Sequence, residues 1–112
     1  MAFESLKKKR DFKTVFKNGK AAKEGFLFLK TSPNGLARVR VGIIVSQKVS
    51  KKAVARNKVR RRIREAVRKR LSEVKPGIDA VISALPGSEK KSFAEIDATV
   101  EKLFAKAKIT KR

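Results

Sequence analysis

Residues 41–71, VGIIVSQKVSKKAVARNKVRRRIREAVRKRL, change their hydrophobic period once, and that change decides the fold. Up to Val45 the pattern alternates, with Val39, Val41 and Ile43 set against Arg38, Arg40 and Gly42, the two-residue period of a strand. From about Ser50 to Leu71 it changes: Val59, Ile63, Ala66 or Val67, and Leu71 recur every three or four residues and mark one face of a long helix. Asn57, Arg61, Arg64 and Arg68 follow at spacings of 4, 3 and 4, in a stripe about opposite Val59 and Ile63. One face of this helix is core and the other is guanidinium.

Upstream, Phe12, Val15 and Phe16 sit at helical spacing before Asn18 and Gly19, which predicts a short helix over 9–18 with Gly19 as a left-handed cap. GFLFLKTS, residues 25–32, reads as a strand, and SPNG, residues 32–35, as a turn. Downstream of Pro76 and Gly77, IDAVISAL is an almost unbroken apolar run, as expected for a strand buried on both faces. Ser92 and Glu95 then form a capping box for a helix whose stripe is Phe93, Ile96, Val100, Leu103 and Phe104, after which KITKR is expected to fray. The order predicts an α+β fold, a small mixed β-sheet packed with three helices as an α–β sandwich. The chain has no internal repeat, and its 112 residues suit a single domain over 1–112 with an ordered core of about 6–106 and frayed ends.

The charge is concentrated. Lys and Arg number 31 against 10 acids, for a net +21, and residues 48–70 alone carry 12 basic residues and one acid, Glu65. Like charges at helical spacing repel, so packing and a bound polyanion must offset them. A solvated helix face normally mixes signs. This one does not, and it prefers Arg, whose planar fork pairs with phosphate at two points and stacks on bases. Nucleic acid is therefore the expected partner, with Asn57 placed among arginines to read a base edge or a 2′-hydroxyl. No stretch approaches the roughly 20 apolar residues of a spanning helix, and MAFESLKKKR is not followed by a signal-type apolar run, so a cytoplasmic protein without membrane partners is expected.

Catalytic chemistry is sparse. The chain has no His and no Cys, and its carboxylates are scattered along the sequence, so no protein active site and no protein-bound metal are expected. Phe12, Phe16, Phe26 and Phe28 raise the question of base stacking over a basic groove. Core packing is the simpler reading for Phe26 and Phe28, while Phe12 and Phe16, beside Lys13 and Lys17, suit a groove edge.

Residues 41–71 resemble the signature region of the bacterial ribonuclease P protein: Val45-Ser46 with Lys48 soon after, the Ala53-Val54 step, then Arg56-Asn57 and the basic run to Arg64. DFKTVFKNG resembles the family's first-helix motif, with Phe12, Val15, Phe16 and Gly19 in the matching places, and the likeness spans roughly 6–104. It implies a left-handed β-α-β crossover through the long basic helix. It further implies that Arg56, Asn57, Lys58, Arg60, Arg61 and Arg64 bind the catalytic RNA subunit, Lys58 and Arg60 exchanging one basic type for the other, and Lys48, Lys52 and Arg68 of the same basic stretch are expected to join them. Phe12, Phe16, Lys13, Lys17 and Phe28 would form a cleft for the 5′ leader of precursor tRNA. Near Leu29 relatives often carry an aromatic residue, which implies one stacking partner fewer here. The implied activity is that of a ribonucleoprotein endonuclease maturing tRNA 5′ ends, with Mg²⁺ bound mainly by RNA, the isolated protein inactive, and no further protein partner required. A ribosomal protein or RNA chaperone is the alternative, followed by an architectural DNA-binding protein.

Overall fold

The strand at Ile78–Ala84, β5, forms the centre of the molecule in a computed structural model that describes residues 4–111. Its apolar run is explained by its neighbours: β4 (Arg40–Ile44) pairs with it in parallel on one side and β3 (Leu27–Pro33) antiparallel on the other. The two-residue β1 (Glu4–Ser5) adds to β4, and β2 (Lys20–Glu24) adds to β3, giving a mixed sheet in the order β1-β4-β5-β3-β2. Both edges are polar, and Lys20 and Lys23 on β2 discourage further strand pairing.

Three helices cover the sheet: α1 (Lys9–Asn18), α2 (Ala53–Lys69) and α3 (Phe93–Lys106). Strand alternation divides their cores. Leu27, Leu29, Val41, Ala80 and Ile82 point to the side of α2 and α3, where they meet Val59, Ile63, Ile96, Val100 and Phe104. Val81 points the other way, to Val15 of α1 and to Leu6, with Phe12 and Ile44 packed around them. The chain between the parallel neighbours β4 and β5 passes through α2, so the basic helix is the crossover. The α+β class expected from the periodicity is the observed one.

Four local readings change. Gly19 is extended (φ −78°) instead of left-handed, and glycine is required there by close approach: a Cβ would collide with the Val15 carbonyl oxygen and lie 2.9 Å from that of Thr31. Strand β2, KAAKE, has no apolar signal of its own and is held by its ladder to β3. The chain past residue 106 does not fray within the described residues. Ile109 is buried, its carbonyl accepts from Lys75 N at 2.8 Å, and Thr110 bridges Val74. At the other end Glu4 and Ser5 are paired to Arg40 and Val41, so order begins before residue 6; residues 1–3 and 112 lie outside the described residues.

Candidate nucleic-acid interface

Helix α2 carries the concentrated charge, and its orientation is fixed by Val59, Ile63, Ala66 and Val67, all buried. Opposite them, Asn57, Lys58, Arg61, Arg64 and Arg68 are exposed, in the stripe the spacing requires. Asn57, Arg60, Arg61 and Arg64 line a shallow depression, in which Arg60 donates to Asn57 Oδ1 at 2.6 Å. Lys48 and Lys52 are exposed on the approach to the helix. Arg56 is partly spent on structure, its Nη1 donating to the Ser50 carbonyl at 2.9 Å. Arg68 forks onto Glu65 at 2.6 and 2.7 Å, a contact that raises the already high pKa of the guanidinium. Lys58 and Arg61 have no acidic partner among the described residues.

The N-terminus of α2 is open. Lys52 supplies no side-chain cap and the first turn has no acid, so no cap side chain accepts from the first-turn N–H groups. Helix α3 has the reciprocal capping box of Ser92 and Glu95, and the Ser92 N–H holds the Glu95 carboxyl below its ordinary pKa. At its other end α2 is clamped to α3. Buried Arg70 donates to the Ala66 carbonyl and to Asp97 at 2.8 Å, Lys69 reaches Asp97 at 3.0 Å, and the Arg70 hydrogen bond lowers the Asp97 pKa. Arg62 donates to the Lys91 carbonyl at 2.7 Å. Arg62, Lys69 and Arg70 thus hold the helix, while the residues of the stripe are exposed on its other side.

The phenylalanines lie across the sheet. Helix α1 packs Val15 onto Val81, Asp11 approaches Arg40 at 3.6 Å, and Lys30 Nζ donates to the Phe16 carbonyl at 2.6 Å, tying the last turn to β3. Phe12 rests on Gly42, where an added Cβ would come within 2.5 Å of the ring, so this glycine makes room for the aromatic. Phe16 is 36% exposed. Phe28 is half-buried and, by its pairing with Lys23 and Ser83, shares the α1 face of the sheet with Lys30 and Ile44. Lys13 and Lys17 are exposed on the side of α1 away from Val15, so they rim this face instead of lining it.

Phe26 packs against the main core with Lys91 5.5 Å from its ring centroid. Leu29 is fully buried in that same core, on the α2–α3 side of the sheet and not on the Phe12–Phe16 face. Lys23, Lys30, Ile44 and Ser83 are the members of the open face that the sequence reading missed. Only the strand register could have shown them.

The scattered carboxylates converge in the fold, but on arginines. Asp79, buried, takes both Arg40 Nε (2.8 Å) and Nη2 (2.6 Å) and accepts from Asn34, with Asp11 nearby; Asp97 and Glu101 share Arg70. Among the described residues no group of three or more His, Cys, Asp or Glu is disposed to hold a metal, and no helix is long and apolar enough to cross a membrane.

The family model for ribonuclease P matches residues 1–108. The chain is 40% identical over 108 residues to the ribonuclease P protein component of Clostridioides difficile, covering 96% of this chain and 94% of that one, and 39% identical to that of Brevibacillus brevis, covering 96% and 85%. Among solved structures it is similar to the ribonuclease P protein of Staphylococcus aureus, with TM-score 0.88, 28% identity and coverage of 95% and 96%. For that of Thermotoga maritima the values are 0.80, 29%, and 89% and 94%.

Proposed function

The chain belongs to the ribonuclease P protein family, and on that premise we propose that the outward face of α2 carries the catalytic RNA subunit while the α1 face of the sheet receives the single-stranded 5′ leader of precursor tRNA. It is the protein component of the ribonucleoprotein that processes tRNA 5′ ends, and it associates with the ribonuclease P RNA. A ribosomal or chaperone role is not favoured, since the relatives are ribonuclease P components over nearly the whole chain.

The observation that carries the RNA-subunit assignment is the orientation of α2. Its aliphatic side is buried and its arginine stripe is presented outward. Guanidiniums at successive turns suit successive phosphates, the first-turn N–H groups add donors for another, and Asn57 offers an amide to a base edge or 2′-hydroxyl. Arg61→Ala and Arg64→Ala are expected to weaken binding to the RNA subunit, Arg61→Ala without lowering the melting temperature and with the slope of log K against log salt reduced by about one phosphate contact. Unchanged affinity across a salt series for both variants contradicts the assignment.

The leader assignment rests on the other face, where Phe12, Phe16 and Phe28 offer rings beside Lys23 and Lys30 and beneath Lys13 and Lys17. Stacking is indifferent to base identity and is worth about 1–3 kcal/mol per base, which fits a ligand of varied sequence. The chemistry belongs to the RNA. Asp11, Asp79, Asp97 and Glu101 are engaged by arginines, and the chain supplies no His or Cys as a general base, so the Mg²⁺ that activates water is assigned to RNA ligands. Protein free of RNA and of contaminating nucleases is accordingly expected to leave precursor tRNA intact.

A further inference from the structure

Val54 is 79% exposed in the first turn of α2, and with Phe16 it is one of two large apolar side chains left exposed among the described residues. At 100° per residue it lies about 180° from Ile63 and within about 60° of Asn57, Lys58 and Arg61, at the head of the charged stripe. The amphipathic pattern asks for a polar residue there. Neither folding nor helix propensity explains a valine: the side chain contacts no core, and a β-branched residue is a poorer helix former than alanine. Its neighbours are small. Ala53 is exposed and Ala55 half-buried, and Arg56 is drawn back onto the Ser50 carbonyl, so Val54 stands as an apolar point in the first turn with cations around it.

We propose that this tip is a seat for one unstacked nucleobase of the RNA subunit, whose face packs on Val54 while its flanking phosphates are held by Arg61 and the lysines before the helix. The proposal rests on the assignment of α2 to the RNA subunit and deepens it. Charge complementarity selects RNA as the occupant: Lys51, Lys52, Lys58 and Arg61 surround the tip with no acid within a turn, which disfavours an apolar protein surface. An apolar contact inside a phosphate-binding stripe also answers a need that phosphate contacts leave open, because they position a nucleic acid without choosing which nucleotide stands where.

The test measures binding of the refolded RNA subunit to the full-length protein across a salt series, with thermal melts in parallel. Val54→Ala removes two methyl groups, so affinity is expected to fall about fivefold to fifteenfold at every salt concentration, with unchanged salt slope and a melting temperature no lower than that of the parent. Val54→Lys decides between a base seat and a merely solvated position. A seat is lost and binding weakens, whereas at a solvated position the added cation tightens binding and steepens the slope. Arg61→Ala is measured alongside. Parent-like binding by Val54→Ala, or tighter binding by Val54→Lys, overturns the seat if Arg61→Ala still weakens binding. If Arg61→Ala is also unaffected, the assignment of α2 itself fails.

Discussion

The outward face of α2 and the α1 face of the sheet lie on opposite sides of one molecule and are built from different chemistry. On α2 the exposed residues beyond the Ala53–Val54 tip are arginine, lysine and asparagine, with no aromatic ring, and the surface is the back of a helix whose packing lies elsewhere. On the α1 side, rings and lysines share a sheet face with a small core, and Phe12 belongs to both. A stripe of guanidiniums at successive helical turns suits phosphates. A half-open sheet face with rings suits bases that no other strand is holding. The difference teaches that net charge alone predicts little here: the +21 is spread over two surfaces of different chemistry, and part of it, as at Arg70, is held inside the fold.

That last part sets the largest expected effect. Arg70 is basic yet buried against Asp97 and the Ala66 carbonyl, so Arg70→Ala should cost about 2–4 kcal/mol of stability, below the figure for fully enclosed pairs because Lys69 still reaches Asp97. Denaturant titration measures it, and both RNA surfaces should fail together as the fraction folded falls. Parent-like stability would mean that the α2–α3 clamp is ornamental and that Arg70 belongs with the stripe.

Next comes Gly42→Ala, which forces the Phe12 ring off the sheet at a cost of about 1–2 kcal/mol. It sharpens the comparison because the disturbance falls on one side only. Affinity for precursor tRNA should drop while affinity for the RNA subunit stays at the parent value. Equal losses in both would show that the two faces are coupled.

The smallest effect concerns acid. Asp97 has its pKa lowered, first by the Arg70 hydrogen bond, so its contribution is present above the unfolded carboxylate value and is lost as pH falls through the depressed one. Asp97→Asn should therefore be less stable than the parent at pH 7 by about 0.5–1 kcal/mol, given its partial exposure, and the gap should close between about pH 4 and lower values. A gap that persists in acid would assign the effect to packing and not to charge.

How much of this was legible in sequence depends on whether a signal is local. The change of period at Ser50, the stripe opposite Ile63 and the Ser92–Glu95 box are local, and each is present as read. Strand β2 is not, because KAAKE becomes a strand only through β3, and the docking of Ile109 likewise depends on Lys75 and Val74. Asp79 was a visible anomaly in an apolar run, and its cause, Arg40 on the adjacent strand, is a matter of register. Register also separates Phe28 from Leu29: one residue along β3 exchanges the open face for the main core. Helical angle alone places Val54 on the stripe, but only the fold leaves it bare.

The central claim, that two faces divide the work, is tested most directly by one ratio. Holoenzyme assembled with Phe16→Ala is compared with parent holoenzyme for binding precursor tRNA with and without its 5′ leader, at saturating RNA subunit. The ring is partly exposed, so the account predicts a fold close to parent stability, leader-bearing substrate weakened by about 1–3 kcal/mol, and leaderless substrate unchanged. Equal weakening of both substrates, or no weakening of either, contradicts the account and returns Phe16 to the core.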